Sequence, residues 1–102
     1  MRNYDWSKDI DGLGTSPITL CDPTATKSCR PGLLEFTCDA DATIDVYYTT
    51  NSAANRVAHL KVKAGSGVSR VEESRKPGTL GAVLYIVSSA GNLTGTASGW
   101  LV

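Results

Sequence analysis

Between residues 33 and 64 the apolar side chains fall on every second position, and this period of two constrains the fold more than any other feature. Leu34, Phe36 and Cys38 alternate with Leu33, Glu35 and Thr37. Ile44, Val46 and Tyr48 alternate with Thr43, Asp45, Tyr47 and Thr49, and Ala58, Leu60, Val62 and Ala64 with Val57, His59, Lys61 and Lys63. Even-numbered residues therefore point inward in each strand. A slip of one residue would turn every apolar side chain to water, so only pairings whose residue numbers sum to an even value keep the faces matched. Folding about Ala53 sets Ile44 opposite Val62, Val46 opposite Leu60 and Tyr48 opposite Ala58. On the outer face the same fold sets Asp45 opposite Lys61 and Tyr47 opposite His59. Tyr47 is on this reading a surface ring, and His59 a solvated strand residue among lysines.

The later residues continue the pattern. Residues 68–73 read as a short charged strand whose Arg70, Glu72 and Glu73, with Arg75 and Lys76 after it, blunt an exposed edge. Residues 79–88 are apolar on both faces, with Leu80, Ala82, Leu84 and Ile86 on one and Val83, Tyr85 and Val87 on the other. That predicts the most buried strand. Folding about Gly91 sets Ala82 opposite Trp100 and Val83 opposite Gly99, each large side chain meeting a small one. Trp100, Leu101 and Val102 predict a paired strand in the core or at a subunit interface. Several short strands separated by turn residues predict an all-β fold, a small antiparallel β-sandwich of jelly-roll or immunoglobulin-like topology.

Residues 1–32 show little periodicity, and only residues 17–21 look like a strand. They read as an extended, mostly irregular N-terminal arm ahead of a sandwich domain at 33–102. Tyr4, Trp6, Ile10, Leu13 and Leu20 are too apolar for a linker, so they are candidate anchors on a partner; the alternative, that they cover the base of the same sandwich, stays open. Ten Lys plus Arg balance ten Asp plus Glu. The balance also holds separately in residues 1–32 and 33–102, so no long-range field draws the chain to nucleic acid or to an anionic membrane. No apolar run approaches the ~20 residues of a membrane span, and the first residues lack the apolar stretch of a signal peptide. The expectation is a chain without export signal or transmembrane segment.

Few residues offer chemistry. The single histidine has no nucleophile motif such as Gly-x-Ser-x-Gly to serve, so no catalytic residue is assigned. Asp39, Asp41 and Asp45 lack the Gly and the Glu of a calcium loop and read as a turn, as do Asp9 and Asp11 beside Gly12. Cys21, Cys29 and Cys38 lack the close pairing of zinc ligands. A bridge from Cys21 to Cys29 is geometrically admissible, reduced thiols are the default without a leader, and the question stays open. Neither metal nor cofactor is expected. Asn92-Leu93-Thr94 matches the glycosylation acceptor pattern but reads as a turn. Gly12-Leu13-Gly14 and Gly65-Ser66-Gly67 lack the lysine and the helix of a phosphate loop.

In the strands of residues 34–48, in Thr79-Leu80-Gly81-Ala82-Val83-Leu84-Tyr85 after a proline loop, and in Gly99-Trp100-Leu101-Val102, the chain resembles the small accessory proteins of phage virions, such as head decoration, neck or tail components. The resemblance implies a β-sandwich assembled in the host cytoplasm into a virion, self-associating or docking on a capsid or tail protein, without a cofactor. The expected function is non-enzymatic: a homo-oligomeric structural module whose arm anchors bury on a neighbouring subunit. The alternative is a carbohydrate- or receptor-binding sandwich. Tyr47, Tyr48, Tyr85 and Trp100 are its candidate platform, and of these Tyr47 is the clear surface ring.

Overall fold

The computed structural model describes residues 4–71 and 78–102, without the side chains of Leu13 and of residues 68–71. Among the described residues the chain forms eight strands and no helix: β1 (Trp6–Leu13), β2 (Ile18–Cys21), β3 (Cys29–Cys38), β4 (Ala42–Tyr48), β5 (Arg56–Val62), β6 (Gly67–Val71), β7 (Leu84–Ser88) and β8 (Leu93–Leu101). Among the described residues no helix is long and apolar enough to cross a membrane. The strands make two antiparallel sheets in the orders β1-β8-β3-β6 and β2-β7-β4-β5, packed face to face as a sandwich.

The alternation explains the core. Leu34, Ile44, Val46, Leu84, Ile86 and Leu93 are fully enclosed between the sheets, each contributing about 1.5–3 kcal/mol of burial. The expected parity holds in β4 and β5, but the register does not. Ile44 pairs with Leu60, Val46 with Ala58 and Asp45 with His59, two residues away from the pairing about Ala53. Parity forbids a slip of one residue and is blind to a slip of two. A bulge between Val46 and Tyr47 then sets Tyr47 opposite Arg56.

The expected hairpin about Gly91 is not formed. β7 lies between β2 and β4 in one sheet, β8 between β1 and β3 in the other, and the turn at 89–92 carries the chain across the core. Each strand thereby has two hydrogen-bonded neighbours, β7 with β2 and β4, and β8 with β1 and β3. Leu80 is 66% exposed and precedes β7 instead of extending it. The charged residues expected to blunt an edge, Arg70, Glu72, Glu73, Arg75 and Lys76, have side chains outside the described residues.

The irregular arm is also corrected. β1 pairs with β8 along Trp6 to Ile10, and β2 pairs with β7, so residues 6–13 and 18–21 are edge strands of the sandwich. β3 runs through position 32 without a break, with a bulge at Gly32. Cys21 and Cys29 form a disulfide across 6.4 Å between Cα atoms, the bridge left open from the sequence, and Cys38 is a buried free thiol. The bridge joins β2 in one sheet to β3 in the other.

Candidate functional site

The outer faces of the two sheets gather separate clusters of side chains. On the β1-β8-β3-β6 face an aromatic corner forms where β1 begins and β8 ends. The Tyr4 ring lies 5.0 Å from that of Trp100, tilted by 43°. Trp6 Nε1–H donates to the Trp100 carbonyl at 3.2 Å, and Leu101 N–H donates to Asp5 Oδ2 at 2.9 Å. Glycines make room for the rings. A Cβ on Gly99 would run into the Arg30 carbonyl and the Trp6 indole, and one on Gly32 into Tyr4 and Trp100.

The structure divides the predicted anchors. Ile10 and Leu20 are buried in the core, because they occupy the inward positions of β1 and β2. They cannot also seat on a partner, which settles for them the alternative left open above. Trp6 is half-buried against the same core, and Tyr4 is half-exposed on Trp100. The Leu13 side chain lies outside the described residues. Trp100 and Leu101 are partly exposed and pair with Arg30 and Cys29, while Val102 is exposed and exchanges two 2.9 Å backbone hydrogen bonds with Ser28. The expected paired strand is there, at the margin of the core and not in its middle.

The second cluster sits on the β2-β7-β4-β5 face and was missed at the level of sequence. Asp45, on an outward position of β4, is nevertheless 8% exposed. Its Oδ1 meets His59 Nδ1 across the strand pair, and its Oδ2 accepts from Asn51 Nδ2 at 3.2 Å. Arg56 Nε donates to Asn51 Oδ1 at 2.8 Å and lies 3.8 Å from Asp45 Oδ1. Beside this network the Tyr47 ring stacks on Tyr85, with centroids 5.5 Å apart. Burial raises the Tyr47 hydroxyl pKa, and the nearby Tyr85 and Asp45 add to the shift. Tyr47 is 6% exposed, which corrects its reading as a surface ring: Tyr85 and the Asp45 network cover it. The signal that could have found the cluster was the second even-sum register, which puts Asp45 on His59.

Chemically, the network holds His59 by Nδ1 and leaves Nε2 as its outward nitrogen, the arrangement by which a carboxylate orients an imidazole. Orientation alone does not make a reactive site. Among the described residues no nucleophile and no second carboxylate contacts His59, and no group of three His, Cys, Asp or Glu is placed to hold a metal ion.

The remaining sequence candidates serve loops. Asp39 Oδ1 accepts from Asn92 N–H at 2.7 Å and Oδ2 from Asn92 Nδ2 at 3.1 Å. Asp41 Oδ1 accepts from Ala64 N–H at 2.9 Å. As expected the carboxylates bond backbone in turns, but the partners belong to loops distant in sequence. Asn92 of the acceptor tripeptide is thereby part of the turn. An open depression of about 350 Å³ adjoins these loops, lined by residues including Thr43, Lys61, Lys63 and Ser89. No protein family, no curated protein and no solved structure matches the chain.

Proposed function

We propose that the chain is a non-enzymatic structural module of a phage-type virion, a small jelly roll that docks on or cements capsid or tail subunits. The observation that carries the reading is the strand order. Among the described residues, eight strands in the orders β1-β8-β3-β6 and β2-β7-β4-β5 support a reading as two Greek keys in a double-sheet jelly roll, the form used by viral capsid and lectin domains. The Cys21–Cys29 bridge supports the same setting, since disulfides persist on virion surfaces and in other oxidising environments. With Ile10 and Leu20 in the core, the docking surface is the outside of the sandwich: the Tyr4 and Trp100 corner, the sheet faces and the strand edges.

Light scattering at two concentrations tests the reading. The expected result is a mass above 10.8 kDa that rises with concentration, or a monomer that co-sediments with assembled virion shells. A monomer that joins neither itself nor such particles would sink it. A second reading, a carbohydrate-binding sandwich, is favoured by one feature: Tyr85, Asn51, Arg56 and His59 put an aromatic ring and several polar groups on one sheet face. The burial of Tyr47 weighs against it, because the stacked pair does not present a flat platform. A glycan array without a hit would remove this alternative.

A further inference from the structure

We propose that copies of this chain join head to tail, with edge strand β1 of one copy adding to edge strand β5 of the next. The proposal rests on the structural-assembly reading and names the partner surface within it. Among the described residues β1 is hydrogen-bonded only to β8, and β5 only to β4. Each therefore presents one open row of backbone N–H and C=O groups, the template to which a further strand adds. β1 is regular over the five residues Trp6–Ile10 and β5 has seven, so the regular part of β1 fits within the length of β5. The bulge after Ile10 ends the regular part of β1.

Charge selects the pairing. On β1 the outward side chain Asp9 is exposed, as is Asp11 in the bulge after it, while Lys8 alternates to the other face. On β5 and just past it, His59, Lys61 and Lys63 are exposed outward. Part of this charge is already used: Asp45 holds His59, Asp41 lies 3.6 Å from Lys63, and Asp9 takes a 3.4 Å hydrogen bond from Thr96. Lys61 and Asp11 form no ion pair among the described residues. Two β5 edges brought together would oppose lysines, and two β1 edges would oppose aspartates, so like edges repel. Of these three pairings only β1 against β5 brings opposite signs together, on the same outward parity, with Ile10 on the same side as Leu60 and Val62. A contact between different surfaces of identical copies is heterologous and builds strings or closed rings, the form that a lattice or a tail tube requires.

A charge swap read by light scattering tests this, with thermal unfolding confirming that each variant folds. The wild-type chain is expected to gain mass with concentration at low salt and to lose it at about 0.5 M salt. D9K/D11K and K61E/K63E should each weaken association by about tenfold or more. A chain carrying all four substitutions, or an equimolar mixture of the two double variants, should regain it. D11K and K61E as single changes give the same pattern at smaller size should a double variant unfold. A wild-type monomer at every concentration would overturn the pairing while leaving docking on a different subunit untouched. Association indifferent to both half-swaps would overturn it while leaving self-assembly through another surface.

Discussion

The two ends of the sandwich solve one problem by different physics. At one end, loops 22–28, 49–55 and 78–83 are tied by the Cys21–Cys29 bridge, by the Tyr48 hydroxyl donating to the Cys29 carbonyl at 2.7 Å, and by Thr49 N–H donating to the Val83 carbonyl at 3.0 Å. At the other, loops 39–41, 63–66 and 89–92 are tied by the exposed carboxylates of Asp39 and Asp41, which accept from Asn92 and Ala64. The first joins β3 of one sheet to β2 and β4 of the other, whereas the second ties strand ends within each sheet, Asp39 to Asn92 beyond the β3–β8 pair and Asp41 to Ala64 beyond the β4–β5 pair. One joins a buried covalent bridge to a half-buried phenol, so water and salt reach it poorly. The other is solvated, so protons and salt compete with it directly. The first end should therefore respond to reductant and strong alkali, and the second to acid.

The largest effect expected is at the bridge. Replacing both Cys21 and Cys29 by serine releases a short loop, and the loop-closure entropy puts the loss at about 2–3 kcal/mol. For a domain of this size that is a fall in Tm on the order of 10–20 °C. Wild type with reductant should match the double variant, and the acid limb of its stability curve should keep its shape. A Tm that does not move would mean that the hydrogen bonds hold this end without the disulfide, and the contrast between the ends would lose its main support.

Next in size is Tyr48. Its ring is partly buried and burial pushes the hydroxyl pKa up to about 12, against an ordinary value of 10.0. Tyr48→Phe removes the bond to the Cys29 carbonyl, which still accepts from Gly78 N–H at 3.0 Å, so the loss should be about 1 kcal/mol by chemical denaturation. The sign of the pH effect follows from linkage. The folded form keeps its proton to higher pH than the unfolded form, so the stabilisation is whole below pH 10 and is lost between about pH 10 and 12. The variant should lack that alkaline loss. If wild type and Tyr48→Phe fall in parallel above pH 10, the phenol is not what alkali attacks at this end.

How far the sequence reveals these devices depends on the range of the contact. The inward parity of Leu34, Phe36, Ile44, Val46, Leu60 and Val62 is legible because alternation is local and burial enforces it. The β4–β5 register is not, since two even-sum pairings satisfy the same parity and the bulge at Tyr47 chooses between them; with the register goes the Asp45–His59 pair. β7 and β8 look like a hairpin because they are neighbours in sequence, yet their partners lie in opposite sheets, which no local pattern encodes. Residues 6–13 look irregular, and 18–21 look like an isolated strand in an arm, because edge strands bury little. There, Ile10 and Leu20 reach the core while Lys8 and Thr19 between and beside them face water. Candidate loop carboxylates were visible as turn residues, but their partners, Asn92 for Asp39 and Ala64 for Asp41, follow only from the sandwich topology.

The smallest effect expected is at Asp39, and it separates the two ends most cleanly. Hydrogen bonds from the Asn92 backbone N–H and then from its side-chain amide hold the Asp39 carboxyl below its ordinary 3.8. The folded form thus binds its proton less readily than the unfolded form. The resulting stabilisation is present above the ordinary carboxylate value and is lost as pH falls below it. Because the group is solvent-exposed, the effect should be weaker than that of Tyr48→Phe and should shrink further in salt. Asp39→Asn keeps the shape and removes the charge, so its Tm should fall less than that of wild type between about pH 5 and pH 2, with the alkaline limb unchanged. Should the variant instead lose more than Tyr48→Phe at neutral pH, the solvated end would be the stronger tie, because an exposed carboxylate would then outweigh a half-buried phenol.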